Sequence, residues 1–199
     1  MNADPDVQDL IHPQRLWSRS EILSQPCPVP RKPGVYAWYF REVPPDVPTA
    51  GCLTHNNCTL LYIGISPAAP SAGRKAPSAQ TIYDRVRFHM TGTAEGSTLR
   101  LTLGCLLTST LGLELRRVGH SGRRMTFADG EQTLSEWLNH NAFVTWIVHP
   151  RPWLPEEELI RSLSLPLNLD QNRSHTFHQT LSAMRRRAKA NARTLPVRS

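Results

Sequence analysis

Two runs limit this chain more than anything else in it: Gly34–Phe40 (GVYAWYF) and Thr59–Ile65 (TLLYIGI). The first is rich in β-branched and aromatic residues and reads as a buried strand, and the second resumes as another strand after the intervening segment. The stretch between them, Arg41–Asn57, holds Pro44, Pro45, Pro48 and Gly51 and cannot continue a strand. An antiparallel pair with an enlarged connection is predicted. Phe143–Val148 (FVTWIV) is a third strand of the same kind, and Arg123–Phe127 is a shorter one ahead of the Asp129-Gly130 turn.

Helices are predicted around these strands. Ile82, Val86 and Met90 recur every fourth residue and give 81–90 one apolar face, with Arg85 and His89 together on another. Ser97 is placed to cap an apolar stretch running to about Leu115. Shorter helical stretches are expected near Leu16–Leu23 and over Glu131–Asn141. Pro155 followed by three glutamates marks a helix start, since proline suits the first helical position and acids suit the positive end of the dipole. A last helix is expected from about His175 to Ala190, and Pro67–Ser78 reads as a loop. The fold class that follows is α/β: a small, mainly antiparallel three-stranded sheet flanked by helices, with a C-terminal helix and a basic tail.

With 199 residues there is material for one ordinary domain, and 39% hydrophobic residues are enough to build its core. Residues 1–32 form an N-terminal extension, 33–170 the main domain, and 171–199 a basic helix and tail packed on or extending from it. The longest apolar stretch, Leu101–Leu113, is too short to span a bilayer, which needs about 20 residues. The acidic start Asn2-Ala3-Asp4-Pro5-Asp6 has neither the basic nor the apolar part of a secretory signal, so a cytoplasmic location is expected. The four cysteines contain no C-x2-C pair, and reduced thiols follow.

The net charge of +7 has a location. Residues 1–170 carry 16 basic and 16 acidic side chains, whereas 171–199 carry seven basic ones and no acid. Such an end attracts phosphate polymers by counterion release, so nucleic acid is the expected partner. Arg185, Arg186, Arg187 and Lys189, with Arg87 on the 81–90 helix, are the candidate nucleic-acid-binding residues.

Gly34-Val35-Tyr36 on one strand and Tyr62-Ile63-Gly64 on the next resemble the two halves of the GIY-YIG nuclease motif. Ile82-x-x-Arg85 matches the helix that carries the family's arginine, and His89 follows at the Arg-x3-His spacing of its restriction-endonuclease branch. Glu156, twelve residues before Asn168, matches the family's glutamate helix and later asparagine. The resemblance covers roughly 33–168. Tyr36 and Tyr62 lie 26 positions apart, farther than is usual in the family, which makes Arg41–Asn57 an insertion. Glu157 and Glu158 adjoin Glu156, and spacing favours Glu156.

The resemblance implies a metal-dependent endonuclease that hydrolyses phosphodiester bonds. Glu156 would be the ligand of one divalent cation, Mg2+ or Mn2+, and Arg85 would face the phosphate with permanently charged planar donors. Tyr62 would act as general base with Tyr36 assisting, His89 would hold the attacking water or the phosphate oxygens, and Asn168 would orient the motif. DNA is the expected substrate, RNA the other polymer of the same charge, and no membrane partner is implied. The alternative of another class is a non-catalytic nucleic-acid-binding module on the same scaffold.

Overall fold

The computed structural model describes residues 5–70 and 78–198, so part of the expected Pro67–Ser78 loop lies outside the described residues. Its strands are β1 (Trp17–Ser18), β2 (Gly34–Phe40), β3 (Thr54–His55), β4 (Cys58–Ser66), β5 (Arg116–Val118), β6 (Arg124–Thr126) and β7 (Ala142–Val148). Its helices are α1 (Pro5–Ile11), α2 (Arg19–Leu23), α3 (Ile82–Thr91), α4 (Thr98–Leu106), α5 (Thr108–Leu111), α6 (Gly130–Asn141), α7 (Trp153–Ser162) and α8 (His178–Thr194).

β2 lies at the centre of an antiparallel sheet ordered β1-β7-β2-β4-β3, and every one of its residues is buried. The α/β class and the β2–β4 pairing agree with expectation. The sheet has five strands rather than three, and β5 and β6 form a separate hairpin. The extra strands β1 and β3 are two residues each, too short to leave a periodic signal in the sequence. Trp17 and Ser18, expected in a helix, pair instead with Val144 and Phe143. The helix starts after them because Ser18 and Glu21 close a capping box.

One face of the sheet, with Tyr36, Trp38, Phe40, Leu61 and Val144, packs in the larger core with residues of α2, α3, α4 and α6. The other face, with Val35, Ala37, Tyr39, Leu60 and Ile63, packs against α1 and α7. The N-terminal residues take part in this second core: Leu10 is fully buried, and its carbonyl accepts a hydrogen bond from the Tyr39 hydroxyl at 2.7 Å.

The register shifts by one residue between Trp38 and Tyr39, which pair with Tyr62 and Leu60. Leu61 is the extra residue of a β-bulge, and the consecutive Leu61 and Tyr62 therefore both pack toward the larger core. The apolar stretch from Ser97 ends earlier than expected. Its helix is interrupted at Leu107 and terminates at Gly112, whose φ of 64° lies in the left-handed region.

α7 also begins before the expected proline, with Pro155 inside its first turn, where a missing N–H costs little. α8 lies on α4 and turns Phe177, Leu181, Met184, Ala188 and Ala192 inward at three- to four-residue spacing. The residues after it are not a free tail. Arg198 bridges to Val118 in parallel, and the Arg117 guanidinium donates to the Leu195 carbonyl at 2.9 Å.

Candidate active site

Close approach explains both outer glycines of the motif. A Cβ on Gly34 would lie 2.1 Å from the Ile147 carbonyl oxygen on β7, and one on Gly64 would lie 2.6 Å from the Tyr36 hydroxyl. Tyr36 and Gly64 are register partners, so the phenol of β2 lies across the bare backbone of β4. Tyr62, two residues before Gly64 and paired with Trp38, sits diagonally on the same face.

α3 crosses above them. Thr81 and Asp84 form its capping box, and the buried Ile82, Val86 and Met90 hold it on the core. His89 is fully buried, with its ring centroid 5.6 Å from that of Tyr36 and 6.4 Å from that of Tyr62. Its Nε2 is 3.0 Å from the Tyr36 hydroxyl and its Nδ1 is 2.7 Å from Ser97 Oγ. Ser97 caps α4 by accepting from the Arg100 N–H at 3.0 Å, and among the described hydrogen bonds its own proton has only His89 Nδ1 to go to. A buried hydroxyl proton without an acceptor is costly, so Nδ1 accepts and Nε2–H donates to Tyr36. Burial, then the neighbouring Arg85 and Arg100, hold the His89 pKa well below its ordinary value, and the ring is neutral.

Arg85 donates to the Gly96 carbonyl at 2.7 Å, which anchors one arm of its guanidinium. Burial raises the pKa of Tyr36 well above the ordinary phenol value, and the nearby Tyr62 adds to this, while Arg85 opposes both. Burial also raises that of Tyr62, against the pull of Thr98 and Arg85. Both phenols are therefore protonated at neutral pH.

Glu156, in the first turn of α7, lines a small cavity of about 60 Å³ with Tyr62, Thr98, Asn168 and Asp170. Burial, then repulsion from Asp170, push its carboxyl up to about 7, against a weak hydrogen bond of 3.5 Å from Gln171. Glu157 points elsewhere and pairs on the surface with Arg161 at 2.7 Å. Asn168 is buried and grips β4 with both ends of its amide: Oδ1 accepts from the Ile63 N–H at 2.9 Å and Nδ2 donates to the Ile63 carbonyl at 2.8 Å. It thereby fixes the residue between Tyr62 and Gly64.

Tyr36, Tyr62, Arg85, His89, Glu156 and Asn168 are thus gathered at one place. Arg87 is not with them. It lies on the opposite side of α3, where its guanidinium donates to the Ile22 carbonyl and approaches the Tyr83 ring. Arg185 reaches the cavity wall, Arg186 and Lys189 line an adjoining groove of about 780 Å³, and Arg187 lines neither. Asp170 and Thr98 were not singled out from sequence, and Ser97 only as a helix cap, not as a partner of His89. Asp170 had a signal, as the last acid before the acid-free end.

Glu156 and Asp170 are two carboxylates at one cavity, oxygen donors of the kind a hard divalent cation takes, although among the described residues no three His, Cys, Asp or Glu side chains gather as a metal-holding group. No curated protein and no solved structure gives a significant match to the chain. A family model described as the GIY-YIG catalytic domain matches residues 34–187, beginning at the first glycine of β2 and ending within α8. That span includes both halves of the motif and the residues gathered around the cavity, and the chain belongs to the GIY-YIG family.

Proposed function

We propose that the protein is an endonuclease that hydrolyses phosphodiester bonds in DNA with the help of one divalent cation. The observation that carries this reading is that the Tyr62 phenol and the half-buried Glu156 carboxylate line one cavity, with the Arg85 guanidinium and the Tyr36 phenol close enough to act on the same groups. Glu156, with Asp170 beside it, would hold Mg2+ or Mn2+, which when bound supplies charge to polarise the phosphate.

The chain's own groups do the rest. Arg85, anchored through Gly96, presents its free donors to the phosphate oxygens as negative charge builds on them. Tyr62 takes the proton from the attacking water, with Tyr36 beside it. It must first release its own proton to solvent through the cavity it lines, which Arg85 favours and burial opposes. His89 acts on Tyr36 through its Nε2–H and holds the phenol in place. Asn168 keeps Tyr62 in register by its two bonds to Ile63.

The test is incubation with labelled plasmid, branched, single-stranded and RNA substrates in Mg2+ or Mn2+, alongside Glu156→Gln and Arg85→Ala. The expected result is metal-dependent cleavage of DNA that both substitutions abolish while binding persists. Equal cleavage by parent and variants would refute the assignment, and binding without cleavage in every metal would favour the non-catalytic module.

A further inference from the structure

Resting on the nucleic-acid reading above, we propose that the trough between the β5–β6 hairpin and α8 carries one sugar–phosphate backbone away from the Glu156 cavity. Thr98 and Arg185 line the cavity, the groove along α8 and a third trough of about 310 Å³, so the three open onto one another. The third trough has Arg123 from the β5–β6 connection on one side and Arg185, Lys189 and Arg193 from α8 on the other. These three α8 cations recur every fourth residue and form one row, about 12 Å long from 185 to 193 at the helical rise. That length matches on the order of three to four nucleotides of a strand in a duplex.

The acid in the trough is already engaged. Glu95 accepts from the Met125 N–H at 2.7 Å and so pins the hairpin to the trough floor. The chain end braces the two walls against each other. Past α8 it runs beside β5, where Arg198 N–H donates to the Arg117 carbonyl at 2.8 Å and the Arg116 guanidinium donates to the Pro196 carbonyl at 3.0 Å. Arg123 belongs to the part of the chain whose charges cancel, so counting charge along the sequence gives it no distinction. Its place across from Lys189 and Arg193 makes it part of a cationic channel that suits a phosphodiester chain.

The test uses the full chain with a chelator present, so that binding is read without cleavage. The probes are a labelled DNA duplex and the corresponding single strand, titrated between about 50 and 200 mM salt. The triple variant Arg123→Ala/Lys189→Ala/Arg193→Ala is expected to flatten the slope of log K against log salt by about 2 to 3 on duplex. A control, Arg15→Ala/Arg31→Ala/Arg41→Ala, removes the same charge from exposed positions outside the three cavities and is expected to leave the slope nearly unchanged. Arg123→Glu alone is expected to weaken binding at least about tenfold through repulsion in the channel. The Arg123 side chain is exposed and makes no described hydrogen bond, so that variant separates loss of contact from loss of fold. Equal slopes for the triple variant and the control, or Arg123→Glu binding like the parent, would overturn the trough alone. A parent that binds neither probe would overturn the nucleic-acid reading and the trough with it.

Discussion

Replacing Glu156 by Gln should make the metal-free protein more stable, and by an amount that depends on pH. Burial and Asp170 push the carboxyl from 4.5 up to about 7, so the folded chain holds this proton more tightly than the unfolded one. Stability is therefore full below about pH 4.5 and is lost as pH rises through the window to about 7. At about 1.4 kcal/mol per pH unit the loss above that window is on the order of 3 kcal/mol. Glutamine keeps the shape without the charge, so at pH 8 it should recover most of this. For a chain of this size the gain is on the order of 5 to 10 °C in Tm. At pH 5 the carboxyl is still mainly protonated in the folded chain, and the gain should fall below about 1 kcal/mol. Thermal melts of both proteins in chelator at the two pH values measure the difference. An equal gain at both, or none at pH 8, would refute the reasoning that an uncompensated carboxylate sits in this cavity.

Mn2+ should raise the Tm of the parent in proportion to log concentration above its Kd and leave that of Glu156→Gln almost unmoved; parallel shifts would take Glu156 out of the metal site. Arg85→Lys keeps the charge but loses the planar fork, and cleavage should fall by at least about a hundredfold with binding largely kept, as read by single-turnover kinetics. Asn168→Ala strands the N–H and carbonyl of Ile63 and should cost about 2 to 5 kcal/mol in chemical denaturation; a cost under about 0.5 kcal/mol would show that Asn168 does not hold β4.

Local chemistry made much of this protein legible in its sequence. Ser97 caps a helix because its hydroxyl reaches an N–H within one turn. β2, β4 and β7 declare themselves because strands buried on both faces are apolar throughout. Arg85 and His89 share a helix face by spacing alone, and the order of motif residues along the chain pointed to the family. β1 and β3 did not show, because two residues carry no period.

Contacts between residues far apart in the chain could not be read this way. Leu60-Leu61-Tyr62-Ile63 is apolar at every position, so nothing in it says which residue is the bulge or toward which core Tyr62 turns; the pairing with β2 decides that. Arg87 looks like Arg85 in sequence, yet the N-terminal segment covers its side of α3 and takes its donor at the Ile22 carbonyl. Asp170 meets Glu156 and Arg123 meets α8 only after folding. The sequence by itself determined which residues can do the chemistry, because charge, hydrogen-bonding capacity and helix spacing are local properties. Tertiary structure decided which of them share a cavity, because strand register and burial depend on partners more than a hundred residues away.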